Sequence, residues 1–206
     1  MDAKTVRREL ARQVWSPLTS HGFGHGGQRA WRRSDIAVDV IEVGMLSGHL
    51  SDRIGATSFS FHARFGVLPI WYPWPRSDPR DLPRRPGIDE CAFASKLQKT
   101  LSQPWFEPGH GMIDWAAFDD ERRSQGLEPG RSVPFDRSDI WFVLEDGSNL
   151  AACLSDMLAA IQRDAMPLFD RARDPCTFVD IAKELGLVPS TDLVRGARDA
   201  CLGIRA

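Results

Sequence analysis

Long apolar runs are missing from this chain of 206 residues, and so is a strong charge of either sign. No stretch approaches the roughly 18 apolar residues of a membrane-crossing helix. The opening residues, MDAKTVRREL, are too charged to form the core of a secretion signal. A formal net charge of −2 supplies no global field toward nucleic acid or anionic lipid. Cysteine is scarce: Cys91, Cys153, Cys176 and Cys201 lie far apart, without the spacing of a zinc knuckle or a disulfide frame. The expectation is four buried thiols in a reducing cytoplasm. No internal repeat is visible. What remains is an ordinary globular composition, 42% hydrophobic and 26% charged, in a length that suits one domain over 1–206.

The strongest pattern in that domain runs from Leu150 to Asp170. Leu150, Cys153, Leu154, Met157, Leu158, Ile161, Ala165, Leu168 and Phe169 follow the three-and-four spacing of one helix face. Ser155, Asp156, Gln162, Arg163 and Asp164 fall mostly on the wet side. Ser148 or Asn149 suits the cap, and Pro167 is expected to bend or break the last turn. Such a stripe needs a partner surface. The segment 58–68 supplies one, because Phe59, Phe61, Ala63, Phe65 and Val67 alternate with Ser58, Ser60, His62, Arg64 and Gly66.

Elsewhere the chain reads as follows. Asp2 precedes a first helix with Val6, Leu10, Val14 and Leu18 on one face, which Pro17 kinks or ends and Gly22 closes. Residues 28–33 and 36–43 form a hairpin around Ser34-Asp35, with Asp39 facing away from Ile36, Val38 and Val40. Residues 44–57 read as a loop. Prolines 69, 73, 75, 79, 83 and 86 forbid a central strand and make 69–87 an irregular excursion. A strand over 90–99, a short helix over 112–125 and a strand over 140–144 follow. The C-terminal helices, over 175–203, begin at Asp174-Pro175 and at Ser190. Helix, antiparallel meander, then helices on one sheet face is an α+β layout.

The order of several pieces resembles the bacterial "domain of unknown function 4304" family. They are the helix from Val6 to Leu18, Gly22-Phe23, Trp31-Arg32, the strand from Ile36 to Val43 and the aromatic strand from Ser58 to Val67. Ile140-Trp141-Phe142 and the helix ending Met166-Pro167-Leu168-Phe169-Asp170 complete the likeness. It covers about 1–170 in scattered pieces. It implies a fold, and neither an established activity nor catalytic residues.

Four groups of residues invite a chemical reading. His21-Gly-Phe-Gly-His25 has the glycines of a phosphate cradle, but a cradle sits between strand and helix, and here the order is reversed. Two histidines without a third ligand make a weak metal site, so a turn is expected. Glu107, His110 and Asp114 combine carboxylates with an imidazole, the donor set of a metal-dependent hydrolase, at no recognised spacing. Trp71, Tyr72, Trp74, Arg76, Arg80, Arg84 and Arg85 join the residue types enriched in protein interfaces, while Asp78 and Asp81 weaken the case for nucleic acid. Asp39, His62 and Arg64 would line a groove on an open sheet face. The functional expectation is a non-catalytic protein-binding domain without a cofactor, immunity-like in a bacterial defence setting. The alternative is the hydrolase.

Overall fold

The computed structural model describes residues 1–54, 56–71, 83, 85–103, 120, 123–124, 126 and 138–203. Most of the expected short helix at 112–125 and most of the proline excursion therefore lie outside the described residues. Five antiparallel strands form one sheet in simple chain order: β1 (Gly24–Gly26), β2 (Arg29–Arg33), β3 (Ala37–Met45), β4 (Phe61–Pro69) and β5 (Phe93–Lys96). The fold is α+β, with the helices gathered on one face of that sheet.

That face is set by register. Ile41 stands between Ala30 and Phe65, Val43 faces Ala63, and Val67 faces Phe93. All seven are buried in one core with Val6, Leu10, Val14, Trp15 and Leu18 of the N-terminal helix. The same core takes Leu150, Cys153, Leu154, Met157, Ala160, Ile161, Ala165 and Phe169 of the central rod. Phe169 meets Phe65 edge-on at 5.9 Å between ring centroids. The rod lies against the phenylalanine wall, as the two periodicities require.

Both proline positions depart from expectation. The N-terminal helix runs through α1 (Ala3–Leu10), a π turn (Ala11–Trp15) and α2 (Ser16–Thr19) without a break. The rod repeats this design as α4 (Leu150–Ala160), a π turn (Ile161–Ala165) and α5 (Met166–Arg171), the short α3 (Gly48–Ile54) having come between. Ser16 N donates to Ala11 O, and Met166 N to Ile161 O, five residues back. Proline lacks an amide and its ring crowds the carbonyl four residues earlier. The wider turn just before each proline absorbs that misfit, so the axis continues.

Other local expectations also shift. Residues 44–57 contain α3 rather than only a loop, and the glycines at 24–26 form the edge strand β1 rather than a free turn. Leu158 is only half-buried, and Ala160 takes the inner place. Asp156 is not simply wet: its carboxylate accepts from Trp141 Nε1 at 2.9 Å, from Thr100 N at 3.1 Å and from the Thr100 hydroxyl. Burial pushes this carboxyl up, and the Thr100 and Trp141 bonds outweigh burial, leaving it below its usual value.

The expected strand at 140–144 makes only a bridge, Phe61 to Trp141. Side chains do the remaining pairing. Gln103 Nε2 donates to Phe142 O at 2.7 Å while its Oε1 accepts from Phe142 N at 2.8 Å, the pattern of a neighbouring strand. Asn149 makes no cap bond; its Nδ2 donates to Phe142 O and its Oδ1 accepts from Leu144 N.

The C-terminal layer is a 3-10 turn (Pro175–Thr177), α6 (Phe178–Glu184) and α7 (Thr191–Cys201). Gly186, at φ +72°, ends α6 in the left-handed region that glycine enters freely. Phe178 packs on Phe93 at 4.9 Å and so extends the core beyond β5. The cysteine reading is corrected here. Cys176 and Cys201 are exposed and joined by a disulfide, while Cys91 and Cys153 are free. Distance along the chain hid the pair; the α6–α7 reversal brings its ends together. Closing this span of 25 residues stabilises the layer on the order of 3 kcal/mol in the chain-entropy account.

Leu154→Ala should cost about 2–5 kcal/mol, as expected for a fully buried leucine, and the half-exposed Leu158→Ala distinctly less. Urea unfolding of both variants decides this; equal losses would contradict the orientation of the rod.

Candidate functional site

The sheet has a second face, opposite the helical layer. Residues alternate across the sheet, so the strand positions between the core residues point outward. Register sets Arg29, Glu42, Arg64 and Lys96 side by side across β2, β3, β4 and β5. The next row is Trp31, Val40, Gly66 and Ala94, and the one beyond holds Arg33, Val38 and Leu68.

No helix of the core layer covers these rows. The chain after the excursion crosses part of them. Ile88 buries itself with Val38, Val40 and Leu68, and Trp31, Cys91 and Ala94 pack around that cluster. Gly66 permits this approach, since a Cβ there would stand 2.6 Å from Phe93 O and 2.9 Å from Cys91 Cβ. Arg85 lays its guanidinium over the Trp31 ring at 5.2 Å, and Arg33 donates to Pro83 O at 3.1 Å.

The charged row is lopsided in its exposure. Arg29 Nε sits 2.5 Å from Glu42 Oε2, an ion pair by proximity whose N–H is not directed at that oxygen. Arg64 reaches Glu42 at 3.2 Å and Asp89 at 3.4 Å, and Lys96 holds Asp139 at 2.6 Å. The Arg29 and Lys96 side chains are 47% and 52% exposed, whereas those of Glu42 and Asp139 are 16% and 11% exposed. A visitor to this row meets cations first, although Asp89 is open as well.

The sequence-derived sites fare unevenly. His62 and Arg64 do lie on the outer face, His62 against Gly44. Asp39 does not join them. It pairs with Val67 in register and faces the helices, so the three-residue groove is corrected. Trp71 is not an open interface residue either, because its ring packs edge-on against Phe178 at 5.1 Å beside the core. Arg85 is exposed and engaged with Trp31. Tyr72, Trp74, Arg76, Arg80 and Arg84 lie outside the described residues, as do Glu107, His110 and Asp114. His21 and His25 are exposed, and among the described residues no three histidines, cysteines or carboxylates gather as metal ligands. The sequence reading missed Arg29, Trp31, Arg33, Glu42 and Lys96. The alternation within β2 was the available signal, once the hairpin register around Ser34-Asp35 is taken seriously.

Asp39 instead forms a buried pair. It accepts from Arg32 Nε at 2.8 Å, and their side chains are only 5% and 11% exposed. The Arg32 guanidinium also lies over Phe23 at 5.0 Å and Phe169 at 5.9 Å, and touches Asp170 at 3.4 Å. This pair closes the end of the aromatic wall. Burial raises the Asp39 carboxyl to about 6, against the opposing pull of Arg32. The two free thiols are also pushed up by burial, Cys153 to about 11, which leaves both poorly nucleophilic.

The Asp39 shift has a definite sign. The folded state holds this proton more tightly than the unfolded chain, whose carboxyl titrates near 3.8. The contribution is most favourable below about pH 4 and is lost as pH rises through about 6, a change of about 3 kcal/mol. Melting curves of wild type and Asp39→Asn between pH 4 and 7 test this. Wild type should lose more stability across the range; parallel curves would remove the assignment.

Comparison with known proteins finds no matching family model, no matching curated protein and no matching solved structure.

Proposed function

We propose that this chain is a non-catalytic protein-binding domain that meets its partner with the outer face of the sheet and the adjoining proline-arginine excursion. One observation carries the reading: Arg85 stacked on Trp31, beside a row whose exposed side chains Arg29 and Lys96 are cationic. Arginine and tryptophan are the types that most often dominate binding energy at protein interfaces. A stacked arginine is partly ordered before any partner arrives, which lowers the entropy lost on docking. The matching partner is a protein with an acidic surface, since opposite fields raise encounter rates and fix orientation.

Two described residues near the end of the excursion adjoin this surface: Pro83 O accepts from Arg33, and Arg85 lies over Trp31. Trp71 anchors the other end to Phe178 rather than contacting the partner. Membership of the "domain of unknown function 4304" family is part of the proposal, supported by the order of motifs along the chain. That likeness also favours a bacterial setting, and an immunity-like role is part of the proposal, resting on the binding face rather than on the likeness. No helix among the described residues is long and apolar enough to cross a membrane.

Affinity capture with wild type and an Arg29→Glu/Arg85→Glu variant, followed by titration of the purified captured protein, tests the reading. An acidic protein should bind wild type, weaken with salt, and lose at least about tenfold in affinity to the double variant. Equal affinity for both baits would exclude this face. Salt-sensitive binding of duplex or single-stranded nucleic acid, with no protein partner, would replace the reading with a different one.

A further inference from the structure

The Cys176–Cys201 disulfide holds α7 to the start of the C-terminal layer, and little else does. Only Leu193 and Ala197 of this helix are buried, while Val194 and Leu202 remain 41% and 62% exposed. Among the described residues, the hydrogen bonds and ion pairs seen for α7 close within the helix, its Ser190 cap or the two residues that follow it. The pair Arg195–Asp192 is an example, one turn apart at 2.6 Å. The covalent tie joins the last residue of α7 to the 3-10 turn that precedes α6. Both cysteines are exposed, so a thiolate has direct access to the bond.

Most of the main core lies away from this tie. The rod and the sheet share one large core, into which α7 sends only those two side chains. Cys91 and Cys153 are unsuited to exchange with the pair: each is at least partly buried and burial raises its thiol.

We propose that Cys176–Cys201 is a redox latch: a dithiol reductant opens it and frees α7, while the sheet and the central rod stay folded. One thiolate of the dithiol attacks Cys176 or Cys201 sulfur, breaking the disulfide and forming a mixed disulfide. The second thiolate resolves it. Two electrons and two protons pass to the protein, which gains two thiols, and the dithiol becomes a disulfide. The latch is independent of the interaction face, so the two ideas succeed or fail separately.

The probe is dithiothreitol. Protein unfolded without reductant should show two reactive thiols, those of Cys91 and Cys153; four would overturn the latch at once. Hydrogen exchange of the native protein before and after reduction is the second measurement. Amides in 191–201 should exchange at least about tenfold faster after reduction, with 150–160 unchanged. Identical exchange in the two states would overturn the proposal, and so would acceleration throughout the chain, which marks a staple for the whole fold. A Cys176→Ser/Cys201→Ser variant without reductant should reproduce the reduced pattern; if it matches the oxidised protein instead, the latch is wrong.

Discussion

The contact between the central rod and the aromatic face of β4 constrains everything around it. Phe61, Phe65 and Val67 are buried by being on one side of an extended chain, and Phe169 reaches Phe65 from the helix side. A buried large side chain is worth roughly 1.5–3 kcal/mol, against an entropy loss of similar order for fixing each residue. Only a wide, continuous contact overcomes that balance. This explains why two helices with internal prolines remain unbroken: the π turns preserve the length of the apolar stripe, and a sharp kink at Pro17 or Pro167 would lift part of it off the sheet.

Committing one sheet face to the core decides the character of the other. The outer face keeps Val38, Val40 and Ala94 where the segment 88–93 crosses it, and the long side chains of Arg29 and Lys96 stay about half exposed. Polar groups that fall on the inner side must find partners within the protein. Asp39 finds Arg32, Asp156 finds Trp141 and Thr100, and Gln103 serves the backbone of Phe142. These are supports of the fold, even though isolated in the sequence they look like surface residues or candidate chemistry. The proposed recognition face differs in kind, since Arg29 and Lys96 are about half exposed while their partners Glu42 and Asp139 are tucked beneath them.

Much of the architecture was legible from periodicity. The spacing of Leu150 to Phe169 and the hairpin around Ser34-Asp35 correspond to real elements, and the alternation over 58–68 does so from Phe61 onward, with Ser60 buried before the strand begins. The cap at Ser190 is present too. Less of the site was legible. Asp39 was assigned to a groove that faces the other way, and Trp71 to an interface when it packs on Phe178. Arg29, Trp31 and Lys96 drew no attention because each is unremarkable among its own neighbours. Their meaning comes from a row that crosses four strands.

Local sequence alone determined the long helices and the central strands and which of their faces is apolar, because those properties repeat over a few residues of chain. Only the tertiary structure decided that Cys176 meets Cys201, that Asp39 looks inward and that Arg85 lies on Trp31. Each of these is a meeting of residues distant along the chain. It depends on strand register and on how the C-terminal helices turn back on themselves, which no short-range pattern encodes.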